Sequence, residues 1–159
     1  MPLVLGIDPG TATTGYGLVR DREDGSQEAV DFGIIQTPAQ APAYKRLSLL
    51  YDQLKEILLL HRPDLCAVEK LFFQRNISTA IAVGQARGVI LLALAQADLE
   101  VGEYTPNEVK QAVTGYGSAD KRQVQEMVRT LLGLPEIPRP DDAADALAVA
   151  ICHLNTRRY

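Results

Sequence analysis

The sequence predicts one α/β domain, a mixed five-stranded sheet whose first three strands are antiparallel, flanked by helices. Three observations carry this reading. Short apolar and β-branched runs joined by turn residues open the chain, and two further runs of that kind alternate with stretches of helical periodicity. The 159 residues suffice for one substantial core and not for two, so a single domain over residues 1–159 is expected.

Leu3 to Asp8 is an apolar run closed by Asp8-Pro9-Gly10, and Thr14 to Arg20 and Ala29 to Gln36 follow as strands across an Asp24-Gly25 hairpin signal. Two prolines then break the pattern. Tyr44, Leu47, Leu50, Tyr51, Leu54, Ile57 and Leu58 recur at helical spacing up to His61, and Pro63 ends that helix. Leu65 to Glu69 reads as a buried central strand, followed by a helix from about Asn76 to Ala97 and a short strand from Val101 to Tyr104. Thr105-Pro106-Asn107-Glu108 is a capping box with proline at the first helical position, so a helix should start there and run to about Val113. Ser118 is expected to cap the next helix, through Leu132, and Asp141 to about Thr156 forms the last.

Composition narrows the function classes. The longest apolar run, Gly88 to Ala95, is far short of the roughly 20 residues that a membrane span requires, so no membrane role is expected. Cys66 and Cys152 stand outside any CxxC or Cys/His spacing, which argues against zinc or a disulfide framework and for a reduced, cytoplasmic setting. The net charge of −4 opposes bulk electrostatic coating of nucleic acid. Two divalent cations held by acidic residues would offset that charge. Asp21, Glu23, Asp24, Glu28 and Asp31 are expected on a solvated hairpin edge away from any substrate.

Four acids stand out. Asp8 and Glu69 end strands that would be neighbours in such a sheet, and ligands of open α/β sheets gather at strand ends. Asp142 and Asp145, spaced i, i+3, project from one face of the last helix. Asp141 suits the helix dipole, whereas Asp145 lies too deep for capping and has no evident basic partner. Oxygen ligands without histidine or cysteine suit Mg²⁺, with Mn²⁺ as a substitute, and paired ions are a common means of cutting a phosphodiester.

The segments LGIDPGTATTGYG, AVEKLFF, GQARGV, VKQAVTGYGSADK and DDAADALAVAI together resemble the RuvC family of crossover junction endodeoxyribonucleases, nearly end to end. The resemblance implies a ribonuclease-H-like fold and a homodimer that resolves four-way DNA junctions by two symmetric cuts, leaving 5′ phosphate and 3′ hydroxyl ends. It also implies that Asp8, Glu69, Asp142 and Asp145 are the catalytic, metal-holding acids, and that the protein works beside the branch-migration proteins RuvA and RuvB. Phe72 matches an aromatic that engages unstacked junction bases, with Phe73 as its competitor, and Lys110 and Lys121 match lysines near DNA phosphates or the active site. Arg75, Arg87 and Arg122 are candidates for further backbone contacts, and the helix carrying Ala80, Gly84 and Gly88 is expected near the dimer two-fold.

Two other readings remain in play at this stage. Asp8-Pro9-Gly10-Thr11 could serve as the phosphate loop of an actin-like or sugar-kinase nucleotide-binding module, although such proteins clamp nucleotide between two domains. A related ribonuclease-H-like protein with another nucleic-acid role would share the N-terminal turn, but Asp142, Asp145 and Phe72 favour the junction enzyme.

Overall fold

The computed structural model describes residues 1–10, 12–70 and 76–157. Five strands, β1 (Leu3–Asp8), β2 (Thr13–Asp21), β3 (Gln27–Gln36), β4 (Leu65–Glu69) and β5 (Val101–Tyr104), form one sheet in the order β3-β2-β1-β4-β5. β1 and β2 are antiparallel, as are β2 and β3, whereas β4 runs parallel to both β1 and β5. The β2–β3 turn is closed as the Asp24-Gly25 signal requires. Gly25 adopts φ +87° and donates its N–H to the Arg22 carbonyl, while the Asp24 carboxylate accepts from the Ser26 N–H.

Among the described residues, five helices cover the sheet: α1 (Ala43–His61), α2 (Ile77–Gln96), α3 (Pro106–Thr114), α4 (Lys121–Leu131) and α5 (Asp141–Arg157). The Thr105 capping box forms both of its hydrogen bonds, with Thr105 Oγ1 accepting from the Glu108 N–H at 3.1 Å and the Thr105 N–H donating to Glu108 Oε1 at 2.9 Å. The cap of α4 differs from expectation. Asp120 occupies that position, paired reciprocally with Gln123, and Ser118 belongs to the preceding turn. A carboxylate there also faces the positive end of the helix dipole, an advantage serine lacks.

Alternation along the strands divides the core in two. Leu3, Leu5, Ile7, Leu18, Cys66 and Val68 face α1 and α2. Val4, Val19 and Ala67 face the opposite side, beneath α3, α4 and α5. The period of two places Gly6 and Asp8 on the side of Val4, and Glu69 on the side of Ala67. On that side the sheet is lined with glycine, and α5 lies directly on it.

A Cβ built on Gly6 would come within 2.2 Å of the Ala146 carbonyl oxygen, and one on Gly15 within 1.9 Å of the Asp142 carbonyl oxygen. One on Gly17 would meet Leu147 Cδ2 at 2.7 Å. These glycines are required for close approach. The helix answers in kind, burying Ala143, Ala146 and Ala150 completely.

α2 is unusual in being apolar around much of its circumference. Its 20 residues, with a mean hydropathy of 1.7 over the most apolar 18, satisfy the length and composition of a membrane-crossing helix, which the run Gly88 to Ala95 had understated. One face of it packs in the core: Ala86, Ile90, Ala93 and Leu94 are buried between α2 and the sheet. Ile77, Ile81 and Leu92 remain exposed on another face.

Gly6→Ala should destabilise the protein by about 2–3 kcal/mol, because the new methyl meets backbone that cannot yield without lifting α5. Urea denaturation checks this; a change under about 0.5 kcal/mol, the size of an ordinary surface substitution, would mean that the helix does not lie so close.

Candidate metal centre

The glycine strip delivers α5 to the C-terminal ends of β1 and β4, where the acids meet. Asp8 pairs in the sheet with Gly15, and Gly15 carries the first turn of α5 at Asp142. One carboxylate oxygen from each of Asp8, Asp142 and Asp145 can be chosen so that all three lie within 4.8 Å of one another, each residue half-buried. Glu69 adjoins them, sharing with Asp145, Lys110 and Lys121 a cleft of about 240 Å³ floored by Val109, Val124 and Ala148. Thus the structure brings together all four predicted acids and both predicted lysines.

Lys121 departs from expectation in a useful way. Its Nζ lies 3.3 Å from Asp141 Oδ2 and 3.9 Å from Asp145 Oδ2, so Asp145 does have a basic neighbour. Sequence spacing could not reveal it, since the two residues lie on different helices. Asp141 is engaged by this lysine and by the Gln125 amide at 3.2 Å, besides standing in the first turn of α5.

The electrostatics show what the cluster lacks. Burial, followed by the charges of Glu69, Asp145 and Asp142, pushes the Asp8 carboxyl up to about 9. Burial and Asp145 push Glu69 up to about 7 against the opposing pull of Lys110 and Lys121. Asp145 is raised as well, first by burial, with Lys121 opposing. The Asp145 carboxyl, within 4.8 Å of that of Asp8, adds to the rise, since two carboxylates so close are eased when one of them holds a proton. Crowded acids of this kind fit a site for divalent cations, which would replace the protons. The all-oxygen donor set selects hard ions.

Other predicted residues fall elsewhere. Phe72 lies outside the described residues, as do Phe73 and Arg75. Arg122 is exposed and ion-paired with Glu126 at 3.1 Å. Arg87 bonds the Glu69 carbonyl and Glu103. A charge on a largely apolar helix was the sign in the sequence that this arginine has polar partners within the chain. His153 is buried and bonded to the Tyr104 hydroxyl at 2.7 Å, His61 Nε2 lies 2.9 Å from Asp31 Oδ2, and both cysteines are buried and free, as expected of structural residues.

Comparison with known proteins places the chain in a family. A family model described as "Crossover junction endodeoxyribonuclease RuvC" matches residues 4–153. A crossover junction endodeoxyribonuclease RuvC from Chloroflexus aggregans is 61% identical over 152 residues, covering 96% of this chain and 92% of its own. One from Syntrophomonas wolfei is 58% identical over 155 residues, covering 98% and 90% respectively. A solved structure of T. thermophilus RuvC in complex with Holliday junction substrate superposes with a TM-score of 0.94 at 39% identity, covering 99% of this chain and 96% of the other.

The raised acids fix the sign of a pH effect. An acid with folded pKa above its unfolded value lends stability that is fully present below the unfolded pKa and is lost as pH rises through the folded one. For Asp8 that window runs from 3.8 to about 9. In chelator, the protein should therefore lose stability from pH 6 to pH 8.5, and Asp8→Asn should melt about 2–8 °C above the parent at pH 8.5, corresponding to about 1–2 kcal/mol. Mn²⁺ should raise the parent's melting temperature and not the variant's. Parallel melting curves for the two proteins in chelator would contradict this account.

Proposed function

Because the chain belongs to the RuvC family of crossover junction endodeoxyribonucleases, we propose that it resolves four-way DNA junctions by paired symmetric nicks, using Asp8, Glu69, Asp142 and Asp145 as its metal-holding acids. The observation that carries this reading is the convergence of three of those carboxylates to within 4.8 Å beside the cleft containing Glu69, Lys110 and Lys121. Mg²⁺ is the expected ion, two per subunit, with Mn²⁺ as substitute. When bound, such ions activate a water for attack and offset charge on the leaving 3′ oxygen.

The protein's own groups do the remaining work. Asp8 and Glu69 are fixed by the ends of paired strands, and Asp142 and Asp145 by a buried helix, so the donors are held before substrate arrives. Lys121 and Lys110 lie along the same cleft, where an approaching phosphodiester would exchange carboxylate partners for phosphate oxygens. The acidic hairpin is at the opposite end of the sheet, where Glu28 already bridges Arg20 at 3.2 Å and Arg22 at 3.3 Å. Phe72, three positions after Glu69 in the sequence, is assigned the base-stacking role that the family resemblance gives it. RuvA and RuvB are the expected partners, and the cytoplasm is the expected compartment.

The homodimer is assigned to α2. Ile77, Ile81, Gly84, Gly88 and Leu92 follow at spacings of four, three, four and four, a single face, and a Cβ at either glycine would meet nothing within 4 Å in the chain. A second copy related by a two-fold axis would cover that face and present identical sites to two strands of a near-symmetric junction.

Asp8→Asn and Glu69→Gln should each reduce cleavage of a synthetic four-way junction at least about 1,000-fold in Mg²⁺ or Mn²⁺ while leaving junction binding within about twofold, the loss expected when an acid acts only in the reaction. Binding lost in step with cleavage, or equal cutting of a matched linear duplex, would contradict the proposal. Ile81→Glu should convert a two-chain mass by light scattering into a one-chain mass. An unchanged mass would place the interface elsewhere.

A further inference from the structure

Glu69 is the last residue of β4, and the peptide that follows it is held from both sides. The Lys70 N–H donates to the Tyr104 carbonyl of β5 at 2.7 Å. The Glu69 carbonyl accepts from Arg87 Nη1, also at 2.7 Å. The other arm of the guanidinium is ion-paired with Glu103 of β5, and only 19% of the Arg87 side chain is exposed. An arginine fork is planar and rigid, so engaging both arms fixes helix α2 relative to two strand ends at once.

We propose that Arg87 is a positioning residue for Glu69: by holding the Glu69 carbonyl it sets the rotation of the peptide at the strand end, and so aims the carboxylate into the cleft with Asp145. The inference rests on the reading of Glu69 as a metal-holding acid, and it adds a link between that acid and the helix whose outer face carries Ile77, Ile81 and Leu92. The ladder provides half of this. β4 pairs with β5 as far as Glu69 opposite Tyr104, but with β1 only as far as Val68 opposite Ile7, so on that side Glu69 lies beyond the last paired residue. Arg87 takes up the acceptor on the side where the pairing stops.

The test uses the full chain with Arg87→Met, Arg87→Lys and Glu103→Gln. Mn²⁺ is titrated against melting temperature, junction binding is measured in chelator, and single-turnover cleavage is measured at saturating Mn²⁺. Removing an outer partner of a metal-holding group typically costs about 10- to 100-fold in affinity or rate. Arg87→Met should therefore raise the half-saturating Mn²⁺ concentration about 10-fold and slow cleavage by a similar factor, with junction affinity and the two-chain mass unchanged. Arg87→Lys, which keeps a donor for the carbonyl but not the fork, should recover part of both losses. Glu103→Gln, which spares the bond to Glu69, should stay within about threefold of the parent.

A fall in melting temperature with no shift in Mn²⁺ response would show that Arg87 only staples α2 to the sheet and would overturn the proposal. Junction affinity falling in step with cleavage would overturn it in favour of a phosphate contact. If Arg87→Met does not fold, Arg87→Lys decides alone, and an unshifted Mn²⁺ response there overturns the inference. A parent protein whose melting temperature ignores Mn²⁺ would overturn the metal-site reading itself, before any Arg87 variant is compared.

Discussion

The distance between α5 and the sheet is the constraint on which the rest of the molecule depends. Helices usually rest on a sheet through a layer of side chains; here Gly6, Gly15 and Gly17 remove that layer, and backbone of α5 comes down almost onto backbone of β1 and β2. Aspartate has one of the shortest charged side chains. Only at this separation can Asp142 and Asp145 share a site with Asp8, whose own reach from the strand is equally small. The alanines of α5 serve the same end, since bulk at Ala143, Ala146 or Ala150 would restore the gap as surely as a methyl on the strand. Packing and chemistry are thus the same requirement in this part of the protein, and neither can be relaxed alone.

Much of this was legible in the sequence, for identifiable reasons. The strand ends at Asp8 and Glu69 followed from short apolar runs meeting a charge, and the α3 start from a capping box whose two bonds both form. The i, i+3 spacing of Asp142 and Asp145 is local and survived intact. What escaped had two causes, one local and one tertiary. The α4 cap moved from Ser118 to Asp120 because Ser118 is taken up in a turn closed from Ala119 to Tyr116, and two neighbouring cap residues competed. Lys121 beside Asp145, and Arg87 beneath Glu69, join residues 24 and 18 positions apart on separate elements. Glycines in β1 and β2 could be read as turn or strand-weakening residues, and their purpose emerges only when α5 is laid across them.

The acidic character of the chain, an apparent objection to a DNA enzyme, is resolved by where the acids lie. Some are spent at the far end of the sheet in pairs with Arg20, Arg22 and His61. At the near end Asp8, Glu69 and Asp145 are crowded, half-buried and held above their ordinary titration range. Such a cluster destabilises the protein that carries it unless cations relieve it, a tension typical of sites built for reactivity rather than for stability.

The site also has a place in time. Asp8 stands on β1 and Asp145 on α5, so 137 residues must follow the first acid before the last is made. At ordinary rates of synthesis that interval is on the order of 10 s, during which the strands can begin to pair but their glycine face has no helix upon it. A ribosome that stops before α5 releases a polypeptide with Asp8 and Glu69 and without the partners that complete the acidic cluster. A growing or interrupted chain therefore lacks the assembled acidic cluster until α5 has been made.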